Sequence, residues 1–189
     1  MIKNLILKNR TYRRFYQDFP ITIEILRELV NLARLSASAG NRQPLKYILS
    51  CDSQKNALIF PNLAWAGYFK DWSGPREGEK PSAYVIILGD KRLELDFNYD
   101  AGIAVQSILL GAVEKGLGGC IIGSVQRQTL AKTLKIPEYY EVLLVLALGK
   151  PKEKVVIEKV GSSGDVKYWR DTGRIHHVPK RSLDEIIVG

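Results

Sequence analysis

The longest apolar stretch of the chain runs from Asp100 to Ser124, DAGIAVQSILLGAVEKGLGGCIIGS. Between Ala101 and Val113 its only polar side chains are Gln106 and Ser107. This predicts a central helix that is apolar on nearly every face and has to be covered all round. Asp100 is read as its N-cap and Gly116 as the left-handed cap that ends it. After the Gly118-Gly119 turn, Cys120-Ile121-Ile122 reads as a short interior strand. Gly102, Ala104, Gly111 and Ala112 leave flat surface for close helix contact, which suits a subunit interface. The run falls short of the roughly twenty apolar residues of a membrane span.

The remaining pattern alternates strands with helices. Ile2–Leu7 reads as a first helical turn or an edge segment. Thr22 caps an amphipathic helix with Ile25, Leu26, Leu29, Leu32 and Ala33 at helical spacing. Strands are predicted at Lys46–Cys51, Tyr84–Leu88 and Val142–Leu148, and helices at Ser53–Ile59 and Val125–Leu134. Beyond Val155-Val156-Ile157 the chain turns polar until His176. There Ser182 and Glu185 have the spacing of a capping box for a short last helix. No repeat, linker or low-complexity tract interrupts the 189 residues, so one domain spanning 1–189 is expected.

Composition narrows the function classes. Hydrophobic residues make up 46% and charged residues 25%, an ordinary globular balance. The apolar run at the N-terminus is too short for a signal peptide, and a cytoplasmic location is expected. Cys51 and Cys120 sit in apolar segments and read as reduced core residues. His176 and His177 are adjacent and point to opposite faces of an extended chain, a poor pair for a metal. Neither a Gly-x-Gly-x-x-Gly turn after a strand nor a P-loop is present, so a Rossmann dinucleotide site or an NTPase is unsupported.

The net charge of +8 suits nucleic acid, a membrane surface or a phosphorylated small molecule. Its distribution says more: cations gather at Lys8-Arg10-Arg13-Arg14 and again at Lys180-Arg181. Two such clusters could converge on one anionic group, or be solvated termini. In the first, guanidinium forks and the Thr11 hydroxyl are the donors a phosphate needs. Asn41 and Gln43, in the small polar loop after the Thr22 helix, could read the edge of a ring with its own donors and acceptors. Trp65, Tyr68, Phe69 and Trp72 lie in a Gly/Pro-punctuated loop. They are candidates to line a pocket for a flat molecule, or to pin the loop to the body.

In order and spacing these pieces resemble the nitroreductase family of flavoenzymes. The pattern is Arg10-Thr11-x-Arg13-x-Phe15, then Asn41-x-Gln43-Pro44, Asp100-x-Gly102-x-Ala104-x-Gln106, Gly116-Leu117-Gly118, the Gly123-Ser124 turn and Leu148-Gly149-x-Pro151. The resemblance implies an α+β fold, a central, mostly antiparallel sheet flanked by helices. It also implies a homodimer that binds one FMN per subunit at the interface, takes electrons from NADH or NADPH, and passes them to a small flat acceptor in ping-pong turnover. By motif position, Arg10 and Thr11 would hold the FMN phosphate, with Lys180 and Arg181 closing over it. Arg13 would lie near the N1 and C2 carbonyl edge of the flavin, where a cation stabilises the reduced state. Ser38, Asn41 and Gln43 would reach the cofactor from the partner subunit, and Gly123, in the turn with Ser124, would present its N–H toward N5. No protein nucleophile is needed, because the flavin carries the hydride. Where many members have a second basic residue before the position of Arg10, this chain has Asn9, and Leu45 replaces a common aromatic. Two other readings remain at this point: a flavin carrier or sensor without efficient turnover, and a basic nucleic-acid-binding module. The favoured reading involves neither nucleic acid nor membrane.

Overall fold

A computed structural model describes residues 1–189. The sheet at its centre is antiparallel and is built on β3 (Ala83–Asp90) and β5 (Tyr140–Pro151). β2 (Leu45–Ser50) pairs with the outer side of β3. β4 (Gly118–Ile122) and the two-residue β1 (Phe15–Tyr16) both pair with β5. Every residue of β3 is buried, as expected of a strand covered on both faces. Its side chains alternate between two cores. Ala83, Val85 and Ile87 join Leu26, Leu29, Ile108 and Ala112. Tyr84, Ile86 and Leu88 join Ile59, Leu63, Trp65 and Leu130 on the other side.

The first core is roofed by α2 (Ile23–Leu35) and α4 (Asn98–Glu114). Thr22 caps α2 by accepting from Ile25 N–H at 3.4 Å, and Leu26, Leu29 and Ala33 are its buried stripe. α2 lies so close to α4 that a Cβ at Gly111 would run into Leu29 and Leu32. The opposite core is closed by α3 (Ser53–Ile59) and α5 (Arg127–Thr133). α1 (Ile2–Lys8) rides on α4 and buries none of its own residues. No helix is long and apolar enough to cross a membrane.

Three expectations are revised. α4 starts at Asn98 with Phe97 at its N-cap, so Asp100 is not the cap. Asp100 sits buried in the first turn, where the helix dipole favours a carboxylate, and accepts from Ala39 N–H at 3.3 Å. Within one chain α4 is also not covered all round. Tyr99 (75% exposed), Gly102, Ile103 and Gln106 form an open stripe, because α2 and the sheet occupy only the other faces. Finally, the polar stretch after β5 folds into a second, three-stranded sheet. Its strands are β6 (Val155–Lys159), β7 (Trp169–Arg170) and β8 (His176–Lys180), in the order β6-β8-β7 with β6 parallel to β8. α6 (Leu183–Ile186) follows with the Ser182/Glu185 capping box in place. Gly116 ends α4 at φ 72°, as its sequence position suggests.

Candidate functional site

The segment Asn9–Arg14 leaves α1 and runs beside β4, where Tyr12 N–H donates to the Gly119 carbonyl at 3.0 Å. It forms one wall of a cavity of about 200 Å³, lined by Asn9, Arg10, Thr11, Gln106, Ile121 and Lys180 among others. The other wall is β8, which contributes Val178 and Lys180. No carboxylate lines this space. One Arg10 Nη donates to the Ile6 carbonyl at 2.6 Å, while its buried Nε has no partner. Burial also lowers the Arg10 pKa from its ordinary value, yet an arginine stays cationic. Two cations, one of them with an unmet donor, and a threonine hydroxyl give the cavity the kind of donors an anion needs. Gln106, the lone polar side chain on that flank of α4, was visible in the sequence as a polar interruption and is now given a place.

A second cavity of about 210 Å³ lies on the other flank of α4, lined by Ser36, Ser38, Gln43, Tyr47, Asp100 and Arg34 with their neighbours. The loop between α2 and β2 enters it through a tight turn in which Gly40, Asn41 and Gln43 all have positive φ (55°, 53° and 50°). Ser38 Oγ holds this turn by accepting from Gln43 N–H at 2.9 Å. Left-handed backbone at non-glycine residues costs on the order of 1–3 kcal/mol each and concentrates at functional sites. Burial and the adjacent Asp100 carboxylate push the Tyr47 hydroxyl up to about 12, so it remains a donor.

Arg13 stands apart from the Arg10 cavity. It does not line the Arg10 cavity: its side chain is buried, with the guanidinium 4.6 Å over the Tyr168 ring and Nη1 3.2 Å from His176 Nε2. Because arginine only donates, His176 Nε2 accepts, and the imidazole is neutral with its proton on Nδ1. Burial, then Arg13 and Arg170, hold the His176 pKa down at about 4. Glu153 lies below this cluster and joins Arg13, Arg14 and Arg170. Neither Glu153 nor His176 was a site candidate from the sequence; a carboxylate two residues after the end of β5 gives no periodic signal.

The basic pair after β8 is also split. Lys180 lines the cavity, while Arg181 pairs with Glu185 at 3.5 Å one turn further along. The Gly123-Ser124 turn stays exposed at the end of β4. It is held by Arg127, which donates to the carbonyls of Gly123 (3.0 Å), Val142 (2.9 Å) and Leu143 (3.0 Å), and by Ala64 N–H, which donates to the Ser124 carbonyl. The four loop aromatics do not converge on either cavity. Trp65 is 7% exposed and belongs to the second core. Tyr68 and Phe69 pack on Tyr168 at 4.8 and 5.2 Å, Trp72 lies under Arg170 at 4.5 Å, and these three line an open hollow of their own with Arg170.

The architecture and the sequence can both be placed among known proteins. The Nitroreductase family profile matches residues 80–150, which hold β3, α4, β4 and β5. A provisionally named NADH dehydrogenase/NAD(P)H nitroreductase of Archaeoglobus fulgidus is 29% identical over 150 residues, covering 75% of this chain and 80% of its own. Over this stretch the chain is similar to the nitroreductase family. Solved nitroreductase structures share its fold. A nitroreductase family protein of Streptococcus pneumoniae TIGR4 superposes with a TM-score of 0.72 at 17% identity, covering 100% of each chain. An FMN-dependent nitroreductase of Clostridium difficile R20291 gives 0.65 at 24% identity, covering 82% of this chain and 89% of its own. The family match thus holds the centre of the sheet and α4, and both cavities border α4.

Proposed function

We propose that the protein is an FMN-dependent oxidoreductase that uses NADH or NADPH to reduce a flat acceptor, such as a nitroaromatic or quinone, by ping-pong turnover. The observation that carries this reading is the anion cavity at Arg10, with its unpaired, buried Nε, set against β4 in a nitroreductase-like fold. The residues present fit the phosphate of FMN: Arg10 and Lys180 supply charge, and Thr11 and Asn9 supply neutral donors. When bound, the flavin supplies the hydride chemistry, which is why the chain needs no nucleophile or metal of its own. The protein's work is to grip the phosphate and to hold the Gly123-Ser124 turn rigid through Arg127. It also has to exclude water from the ring.

A single chain offers only part of such a site. Each cavity falls below the roughly 300–1,000 Å³ of a complete small-molecule pocket. The open stripe on α4, Ile2, Ile6 and Leu7 of α1 and Leu183, Ile186 and Ile187 at the C-terminus leave large apolar side chains exposed on a single chain. A homodimer packed on α4 would cover that surface. It would also let Ser38, Asn41 and Gln43 of one subunit complete the Arg10 cavity of the other. We place the single-domain enzyme in the cytoplasm.

The test is anaerobic mixing of FMN-loaded protein with NADH or NADPH, followed by a nitroaromatic or a quinone. Bleaching of the flavin and its return with the acceptor supports the reading. Bound FMN that neither nicotinamide reduces makes the protein a carrier or sensor. Steeply salt-dependent nucleic-acid binding without FMN uptake makes it a basic binding module.

A further inference from the structure

Glu153 stands just beyond the end of β5 and lines none of the cavities above, yet its side chain is only 3% exposed. Its Oε1 accepts from the backbone N–H groups of Arg13 and, at 3.2 Å, of Arg14. Its Oε2 accepts from Arg170 Nη2 at 3.1 Å. The first two donors belong to the segment whose Arg10 and Thr11 form one wall of the anion cavity. The third belongs to β7, which is paired with β8 through Arg170 and His176. β8 is the opposite wall and carries Lys180. One buried carboxylate therefore ties the two walls of the cavity together from behind.

We propose that Glu153 is the positioning residue of the anion cavity, setting the spacing between the Arg10-Thr11 wall and the Lys180 wall without touching the ligand. This rests on the FMN reading, with the phosphate as the anion held between the walls. Only an ionised carboxylate serves. It is acceptor-only, and all three of its partners are donors, so an amide in its place would turn an NH₂ group toward another donor on one side. A carboxylate that loses its charge-assisted partners weakens what depends on them by roughly tenfold or more.

The test compares FMN with riboflavin, which has the same ring and no phosphate, as ligands of the dimer, the parent and Glu153→Gln being measured by flavin fluorescence. The prediction is a loss of FMN affinity of about tenfold with riboflavin affinity unchanged, so that the preference for the phosphorylated form collapses. Arg170→Met cuts only the β8 arm and leaves both backbone N–H groups on Glu153. It should reduce the preference in the same direction, and it carries the test if Glu153→Gln does not fold. Equal loss of FMN and riboflavin in the folded variants, or no loss of either, overturns the proposal by reducing Glu153 to general scaffolding. A parent protein that binds FMN while both variants keep its preference overturns this inference alone. A parent protein that takes up no FMN overturns the cofactor reading, and this inference falls with it.

Discussion

Acidification should destabilise this protein through His176 before most of its carboxylates are protonated. The ring is 1% exposed, Tyr168 and Phe69 pack against it at 5.2 and 5.6 Å, and Arg13 Nη1 faces its acceptor nitrogen at 3.2 Å. A proton on Nε2 would destroy that hydrogen bond and set a second cation against Arg13, with Arg170 and His177 nearby. The folded pKa is about 4, against 6.5 for a free imidazole, so the unfolded chain binds the proton more readily. The stability this provides is complete above the unfolded pKa, is lost as the pH falls from 6.5 toward 4, and is gone below that. One pKa unit is 1.36 kcal/mol, so the linkage removes about 2 kcal/mol between pH 7 and pH 5. Urea unfolding of the parent and of His176→Gln at pH 7, 6 and 5 measures it. Glutamine still offers Arg13 an acceptor but does not titrate, so its stability should fall about 2 kcal/mol less over that range. Identical slopes for the two proteins would refute the argument.

Other expectations follow from the same contacts. Arg10→Ala removes the guanidinium with its unpartnered Nε from the cavity, and FMN affinity should drop by roughly tenfold or more in an equilibrium titration, as for a charge-assisted hydrogen bond. Gly119→Ala places a Cβ 2.7 Å from Leu109 Cδ2 and 2.8 Å from the Ala147 carbonyl oxygen; overpacking of this kind should lower unfolding stability by about 1–3 kcal/mol in urea. Arg127→Met deprives the carbonyls of Gly123, Val142 and Leu143 of their donor. Amide exchange at the Gly123-Ser124 turn should accelerate, with little change at β3.

The elements with one clear period were legible from sequence. β3, β5 and α2 are specified by runs whose burial needs no distant information, and α3 falls on Ser53–Ile59 as its pattern suggests. The second sheet was not legible. β7 has two residues, and β6 and β8 mix polar with apolar positions and bury only His176, so they carry no strong apolar run. The same physics explains Arg13. Its spacing from Arg10 suggests a shared ligand, but extended backbone sends the residues of this segment to alternate faces, and Arg13 is captured by Tyr168 and His176, about 155 and 163 positions away. Long-range pairings of this kind carry no local signal. Arg10, Thr11 and Lys180, expected to share an anion, do share a cavity. Ser38 and Gln43 line a different one, a separation that a site built by two subunits would remove.

The most direct test of the cofactor assignment is uptake of FMN by the purified chain. After reconstitution and removal of free flavin, the protein should be yellow, sediment as a dimer and release one FMN per subunit on denaturation. A colourless protein that retains no FMN after the same treatment would contradict the account.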